Sequence, residues 1–130
     1  MNRVHELREK VKDLKILIVD DEIQVLESTV TFFKKFFKNV EQSVNGKEAL
    51  EIMENQKIDV LITDVKMPIM NGWELSNALE EKEIKAFIVI LTGSPSNEVK
   101  SNGCDLLLSK PVQHEDLLNL MDKIIENKKL

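Results

Sequence analysis

ILIVDDE, residues 16–22, sets four consecutive aliphatic side chains directly against three acids. The apolar stretch KILIV, residues 15–19, shows no polar alternation, which is typical of a strand buried on both faces of a sheet. Adjacent carboxylates at the end of such a strand repel one another. The stretch therefore predicts a buried parallel strand and leaves its acids to be explained.

The alternation of strand and helix that starts here repeats along the chain. Strands are predicted over residues 15–19, 39–44, 59–63, 86–91 and 105–108. Helices are predicted over residues 23–37, 47–55, 73–82 and 115–129, with a short or irregular fourth helix starting at Ser94-Pro95. The pairs Asn45-Gly46 and Asn71-Gly72 are interpreted as turn and loop residues. This pattern predicts an α/β fold, a doubly wound (βα)5 three-layer sandwich around a five-stranded parallel sheet.

Composition argues against several classes of protein. The net charge is −5, and the 18 Lys and Arg residues are spread along the chain, so a nucleic-acid-binding surface is not expected. The single cysteine, Cys104, cannot form an internal disulfide, which suits a reducing cytoplasm. No apolar run approaches the roughly 20 residues of a membrane span, and the charged N-terminus does not resemble a signal peptide. We therefore expect a cytoplasmic protein without direct nucleic-acid or membrane binding.

Polar side chains follow the predicted strands at one edge of the sheet. Asp20 and Asp21 end the first strand, Asp64 the third, Thr92 the fourth and Lys110 the fifth. In doubly wound sheets, ligands bind at this carboxyl edge. If the first and third strands are neighbours, about 5 Å apart, Asp21 and Asp64 come within reach of one cation. Each residue alone could be a helix cap, a loop acid, a β-former or a turn residue; their coincidence at one edge favours a site.

Carboxylates without neighbouring histidine or cysteine suit a hard cation such as Mg²⁺, which prefers oxygen ligands. A cation, a lysine and a hydroxyl together are typical of phosphoryl binding. Lys110 would neutralise phosphoryl oxygens, and Thr92 would donate a hydrogen bond to one of them. A carboxylate can also act as the nucleophile and form an aspartyl-phosphate.

Four motifs in this order, ILIVDDE, DVLITDVKMPIMNGWE, VILTG and LSKP, resemble those of the receiver domain of two-component response regulators. The resemblance covers roughly residues 15–128. It implies the flavodoxin-like strand order 2-1-3-4-5 and a switch phosphorylated by a phosphohistidine on a sensor histidine kinase or histidine phosphotransfer domain. Such a domain also catalyses its own phosphorylation and slow hydrolysis, without being a classical turnover enzyme.

The resemblance also implies roles for the acids. Asp64 would be the phosphoacceptor. Asp20, Asp21 and Asp64 would hold Mg²⁺ or Mn²⁺, together with the backbone carbonyl of Lys66. The Lys66 side chain would sit at the rim of the pocket, where it could alter the access of the hydrolytic water.

Two features of the switch region depart from the family pattern. Thr92 would be the switch hydroxyl and Lys110 the lysine that pairs with the phosphoryl group, with a cis bond between Lys110 and Pro111. The family usually has Tyr or Phe at the position of Leu107, so here an aliphatic side chain replaces the aromatic ring that usually couples to the switch hydroxyl. Only 17 residues separate Thr92 from Lys110, about one helical turn fewer than usual.

Residues 1–14 precede the receiver domain, residues 15–130, and form an N-terminal extension. Four of its apolar side chains repeat at helical spacing: Val4, Leu7, Val11 and Leu14. They predict a short helix that packs on the first helix of the domain or pairs with a second chain; a solvated tail is the alternative.

The first helix of the domain, residues 23–37, is apolar around about half of its circumference. We expect Val25, Phe32 and Phe36 to face the sheet. The other apolar side chains would form a flank that another element covers: Ile23, Leu26, Val30 and Phe37.

Three functions are compatible with these features. A phosphoacceptor switch is favoured because the set of acids, hydroxyl and lysine is complete. The alternative is a degenerate receiver that acts as a phosphorylation-independent docking module, which Leu107 and the short fourth helix would suit. A metal-dependent phosphohydrolase is disfavoured because no residue is placed as a dedicated general base. A homodimer and an attached output domain are both compatible with the sequence.

Overall fold

A computed structural model of the chain describes residues 2–93 and 104–130. Five parallel strands form one sheet in the order β2-β1-β3-β4-β5, which confirms the predicted (βα)5 sandwich. The strands are β1 (Lys15–Val19), β2 (Asn39–Ser43), β3 (Val60–Asp64), β4 (Phe87–Thr92) and β5 (Leu106–Ser109). The helices among the described residues are α1 (Arg3–Val11), α2 (Ile23–Phe33), α3 (Gly46–Asn55), α4 (Gly72–Glu81) and α5 (His114–Lys128). The helix predicted from Ser94 falls outside the described residues.

Two hydrophobic clusters cover the two faces of the sheet. Ile16 and Ile18 of β1 belong to the cluster that contains α1, α2 and α5, whereas Leu17 and Val19 belong to the cluster that contains α3 and α4. Covering both faces explains why β1 carries apolar side chains at successive positions. Within the described residues, no helix combines the length and the apolar character needed to cross a membrane.

The strands that carry the site end on polar residues. β3 includes Asp64, which pairs with Leu91, and β4 includes Thr92, which pairs with Ser109. The last three predicted strands are each placed one residue too early, because ladder pairing continues past the apolar run. The sheet therefore holds the backbone at Asp64 and Thr92 directly.

α2 buries a different stripe from the predicted one and ends four residues earlier, at Phe33. The residues facing the sheet are Leu26, Val30, Phe33 and, beyond the helix, Phe37. The residues predicted to do so are only half-buried: Val25, Phe32 and Phe36. The prediction is wrong because the two stripes lie side by side with the same helical spacing, so periodicity alone does not distinguish them. Of the predicted flank, only Ile23 is exposed.

The N-terminal helix α1 packs chiefly on α5. Its side chains Leu7 and Val11 are buried in the cluster that also contains residues of α2 and α5. Arg8 Nε donates to Lys35 O, just beyond the end of α2, at 3.0 Å. Contact with α2, the partner that the sequence predicts, is thus the smaller one. The carboxyl end of α1 leads into the start of β1, at the edge of the sheet opposite the strand ends that carry the acids.

Candidate phosphoryl and metal site

The three acids at the strand ends form one cluster. One carboxylate oxygen from each of Asp20, Asp21 and Asp64 lies within 4.8 Å of the other two. Asp20 and Asp64 are buried, whereas Asp21 is exposed. Asp20 Oδ1 accepts from Glu22 N at 3.0 Å, and Asp64 Oδ1 accepts from Val65 N at 2.9 Å, so local backbone donors orient both buried carboxylates. The neighbouring positions of β1 and β3 thus bring the predicted acids together.

Lys110 joins this cluster from the end of β5. Its Nζ lies 3.2 Å from Asp20 Oδ2 and 3.2 Å from Asp64 Oδ1. Its backbone N–H donates to Thr92 O at 2.9 Å, which continues the β4–β5 ladder. The bond between Lys110 and Pro111 is cis, as the resemblance implies. The lysine therefore bridges two of the three acids, and the sheet topology places it there.

The charges of the cluster shift one another's ionisation. Burial raises the pKa of Asp64 above its ordinary value, although Lys110 acts in the opposite direction. Burial alone would lower the pKa of Lys110, but Asp64 and Asp20 together raise it above its ordinary value. Three carboxylates face one ammonium group in the cluster, so a further cation would be electrostatically favourable.

The residues of the cluster fit a hard divalent cation. Their ligand atoms are carboxylate oxygens, the type that Mg²⁺ and Mn²⁺ prefer. The Asp21 side chain has no hydrogen bond or ion pair within the described part of the chain, so it is available as a ligand. Asp21 and Lys66 line the same cavity of about 410 Å³, with the Lys66 side chain exposed at its rim. Two of the four predicted ligand residues therefore line one cavity.

Comparison with known proteins identifies the family. The sequence model of the response regulator receiver domain matches residues 16–122. The chain belongs to this family. The match covers all five strands except Lys15, the first residue of β1, and leaves α1 and the last part of α5 outside it.

Curated relatives match this chain over part of their own length. Hybrid signal transduction histidine kinase K of Dictyostelium discoideum is 32% identical over 128 residues, covering 88% of this chain and 11% of the relative. The transcriptional regulatory protein CiaR of Streptococcus pneumoniae is 32% identical over 108 residues, covering 80% and 48%. The chain thus spans about half the length, or less, of these relatives.

Solved receiver domains share the fold. Chemotaxis response regulator CheY4 of Vibrio cholerae superposes with a TM-score of 0.72 at 32% identity, covering 86% of this chain and 98% of that one. A response regulator receiver domain protein from Clostridium thermocellum superposes with a TM-score of 0.79 at 28% identity, covering 89% and 97%. These neighbours are covered almost completely, whereas between 86% and 89% of this chain is covered.

The predicted switch residues of the receiver domain lie on one face of the sheet. Thr92 pairs with Ser109, and Ile90 pairs with Leu107, across the β4–β5 ladder. Paired residues of neighbouring strands point to the same side, so the side chains of Thr92 and Leu107 share a face. Thr92 is buried and Leu107 is half-buried. The aliphatic side chain of Leu107 therefore lies diagonal to the hydroxyl of Thr92 on the same face of the sheet.

Two glycines beside the site have a role that the sequence analysis missed. Gly72 begins α4 so close to β3 that a Cβ atom on it would lie 2.5 Å from Asp64 O. Gly46 begins α3, and a Cβ atom on it would lie 2.5 Å from Met70 O. In both places the preceding asparagine caps the helix, so the Asn-Gly pairs are helix starts rather than free turns. An Asn-Gly pair directly before an amphipathic helix is the signal that could have revealed them.

Proposed function

We propose that this receiver domain is a phosphoacceptor signalling switch that carries its phosphoryl group on Asp64. The observation that supports this most strongly is the cluster itself, in which three carboxylates lie within 4.8 Å and Lys110 is 3.2 Å from two of them. Asp20 and Asp64 are buried and share one lysine, and burying carboxylates costs stability, so folding alone gives no reason to place two of them together beside a third acid. Binding of a phosphoryl group together with a divalent cation would give a reason for the cluster.

The proposed transfer is a substitution at phosphorus. A carboxylate oxygen of Asp64 attacks the phosphorus atom, the P–N bond to the donor histidine breaks, and the imidazole nitrogen keeps the electron pair. The product is an aspartyl-phosphate. Lys110, already beside Asp64, would neutralise charge on the phosphoryl oxygens, and Thr92 would donate a hydrogen bond to one of them. In hydrolysis, water attacks phosphorus and the Asp64 carboxylate leaves.

The proposed metal ligands are Asp20, Asp21, Asp64 and the backbone carbonyl of Lys66. A bound Mg²⁺ or Mn²⁺ supplies positive charge that offsets the charge of the phosphoryl oxygens. The choice of metal follows from the all-oxygen ligand set, and the exposure of Asp21 leaves a side that can keep bound waters.

The proposed switch acts through protein contacts. Thr92 would move toward the phosphoryl group, and Leu107, on the same face of the sheet, would repack as it moves. The phosphoryl donor would be a sensor histidine kinase or a histidine phosphotransfer domain. Hybrid histidine kinases and transcriptional regulators among the relatives are consistent with such a pathway. The output would come from a partner or from another part of a longer protein.

Intact-mass spectrometry after incubation with acetyl phosphate and Mg²⁺ tests the proposal. We expect a gain of one phosphoryl group, which is lost in Asp64→Asn and when a chelator removes the metal. Asp13→Asn is a matched control, because Asp13 is an exposed acid at the amino edge of the sheet. Absence of the gain in the parent chain would overturn the proposal.

The other outcomes of this experiment correspond to the two remaining functions. A chain that is not phosphorylated and binds no Mg²⁺ would be a docking module. Release of many equivalents of phosphate per chain from a phosphate ester would indicate a phosphohydrolase.

A further inference from the structure

Thr63 is a polar side chain in a strand that is otherwise aliphatic as far as Asp64. β3 has the sequence VLITD, and Thr63 is wholly buried within it. A buried hydroxyl costs free energy unless it is hydrogen bonded. Valine has nearly the same branched shape, suits a buried strand and carries no such cost. Packing of the strand therefore does not explain why this position carries a hydroxyl.

The hydroxyl of Thr63 binds the backbone of the proposed phosphoacceptor. Thr63 Oγ1 donates to Asp64 O at 2.9 Å. The sulfur of Met67 lies 4.0 Å from the same hydroxyl, but a thioether is only a weak acceptor, so the carbonyl of Asp64 takes the proton. The hydroxyl thus reaches forward along the chain, to the peptide group that follows Asp64.

The peptide group between Asp64 and Val65 is held at both ends. Its carbonyl accepts from Thr63 Oγ1, and its N–H donates to Asp64 Oδ1 at 2.9 Å. Because a peptide group is planar, a rotation that moves its carbonyl also moves its N–H. Loss of the bond from Thr63 would therefore loosen the N–H that orients the Asp64 carboxylate.

The start of α4 limits what could replace the hydroxyl. A Cβ atom on Gly72 would lie 2.5 Å from Asp64 O, so the helix approaches this carbonyl too closely for a water molecule to lie between them. Gly72 N also donates to Val65 O at 2.9 Å, which holds the next peptide group. The hydroxyl of Thr63 approaches the carbonyl from the strand itself, where the helix does not obstruct it.

The carboxylate oxygen that receives the N–H also contacts the lysine of the site. Asp64 Oδ1 lies 3.2 Å from Lys110 Nζ and accepts from Val65 N. These two donors both reach Oδ1, so Oδ2 is the oxygen that we expect to attack phosphorus. The last torsion of an aspartate side chain is only weakly restrained by its own rotamer preference. The N–H of Val65 therefore opposes a rotation that would exchange the two oxygens.

We propose that Thr63 is a positioning residue for phosphoryl transfer: its hydroxyl fixes the peptide group after Asp64, and that group fixes the carboxylate. The inference rests on the proposed function, since it concerns how the phosphoacceptor is held for attack. Thr63 and Asp64 are consecutive in β3, so their side chains leave opposite faces of the sheet and Thr63 acts through the backbone. Misplacing a nucleophile by about 1 Å can slow a reaction by about two orders of magnitude.

Substitutions at Thr63 separate the effect of the hydroxyl from that of the methyl group. Thr63→Val keeps the shape and removes the hydroxyl, whereas Thr63→Ser keeps the hydroxyl and removes the methyl group. With acetyl phosphate and saturating Mg²⁺, we expect labelling of Thr63→Val to be slower by about tenfold or more, and that of Thr63→Ser to stay within about threefold of the parent rate. Should Thr63→Val not fold, Thr63→Ala and Thr63→Ser make the same comparison.

Thr29→Val is a matched control, because Thr29 Oγ1 donates to a backbone carbonyl, Val25 O, at 2.8 Å in α2. It should be labelled at close to the parent rate. Urea denaturation establishes that each variant is folded at the temperature of the assay. Equal labelling rates for the parent chain and Thr63→Val would overturn the proposal. Equal slowing of Thr63→Val and Thr63→Ser would also overturn it, because the methyl group would then be the part that matters.

The amide signal of Val65 tests the geometry without phosphoryl transfer. In a ¹H–¹⁵N spectrum, this signal should move upfield in Thr63→Val, because its hydrogen bond to Asp64 Oδ1 weakens, and should stay near its parent position in Thr63→Ser. An unmoved signal in Thr63→Val would overturn the positioning role even if labelling slows. A parent chain that acetyl phosphate does not label would instead overturn the proposed function, and with it any role of Thr63 in transfer.

Discussion

At the scale of single residues, the ionised side chain of Asp64 works against the stability of the fold that carries it. Burial raises its pKa, and Lys110, 3.2 Å away, offsets this only in part. A carboxyl group whose pKa is higher in the folded than in the unfolded state is more easily kept protonated in the fold. Its ionised form therefore reduces stability at pH values above both pKa values.

We expect Asp64→Asn to raise the free energy of unfolding at pH 7 by roughly 1 kcal/mol. Asparagine has nearly the same shape, and its oxygen can still accept the hydrogen bond from Val65 N. The gain should shrink as the pH falls through the folded-state pKa of Asp64, and vanish by about pH 3, where the parent carboxyl is protonated in both states. Urea denaturation, followed by the fluorescence of Trp73, the single tryptophan, measures this gain in stability.

The exposed control Asp13→Asn should change the free energy of unfolding by at most about 0.5 kcal/mol. A less stable Asp64→Asn at pH 7 would contradict this.

At the scale of elements, the start of α4 holds the end of β3 in place. Alanine is a better helix former than glycine by about 1 kcal/mol, so Gly72→Ala would be stabilising on an isolated helix. In the domain, its Cβ atom would lie 2.5 Å from Asp64 O and 3.2 Å from Val65 Cα, and both are backbone atoms that yield poorly. We expect a loss of about 2 kcal/mol in stability and slower labelling by acetyl phosphate, because the backbone of Asp64 has to shift. Gly93→Ala, whose Cβ atom would meet none of the described residues within 4 Å, should be neutral in urea denaturation. Equal stability and equal labelling rates for the two variants would show that the close approach of Gly72 to β3 is unimportant.

The elements themselves were more predictable than their contacts. β1 could be predicted because a strand covered on both faces leaves an unbroken aliphatic run in the sequence. The buried face of α2 could not, since the stripes through Leu26 and Val25 have the same spacing and only the position of the sheet distinguishes them. The acids at the strand ends were also predictable, because the end of an unbroken aliphatic run marks the end of the strand. The close approach of Gly72 was not, because it is a distance between two elements and leaves no periodic pattern.

At the scale of the whole molecule, the site lies at the carboxyl edge of the sheet, whereas α1 leads into the amino end of β1. The acids lie at the carboxyl ends of the strands. By contrast, α1 precedes β1, packs on α5, and contacts Lys35 just beyond the end of α2. Leu7 and Val11 place α1 in the hydrophobic cluster of the domain rather than on its surface. Stability and phosphorylation should therefore respond differently to its removal.

We expect deletion of residues 1–13 to lower the free energy of unfolding by at least about 3 kcal/mol, because it removes two buried aliphatic side chains and uncovers the core beneath them. The Asp64 site should still be labelled by acetyl phosphate at a temperature where the shortened chain is folded. In the full chain, Leu7→Ala should reproduce about 2 kcal/mol of the loss. Arg3→Ala, which removes an exposed ion pair with Asp122, should cost about 0.5 kcal/mol or less. Urea denaturation, phosphoryl labelling and mass in solution check these outcomes together. An unchanged stability after deletion would mean that α1 does not belong to the core, and loss of a dimer on deletion would mean that its apolar stripe pairs with a second chain instead.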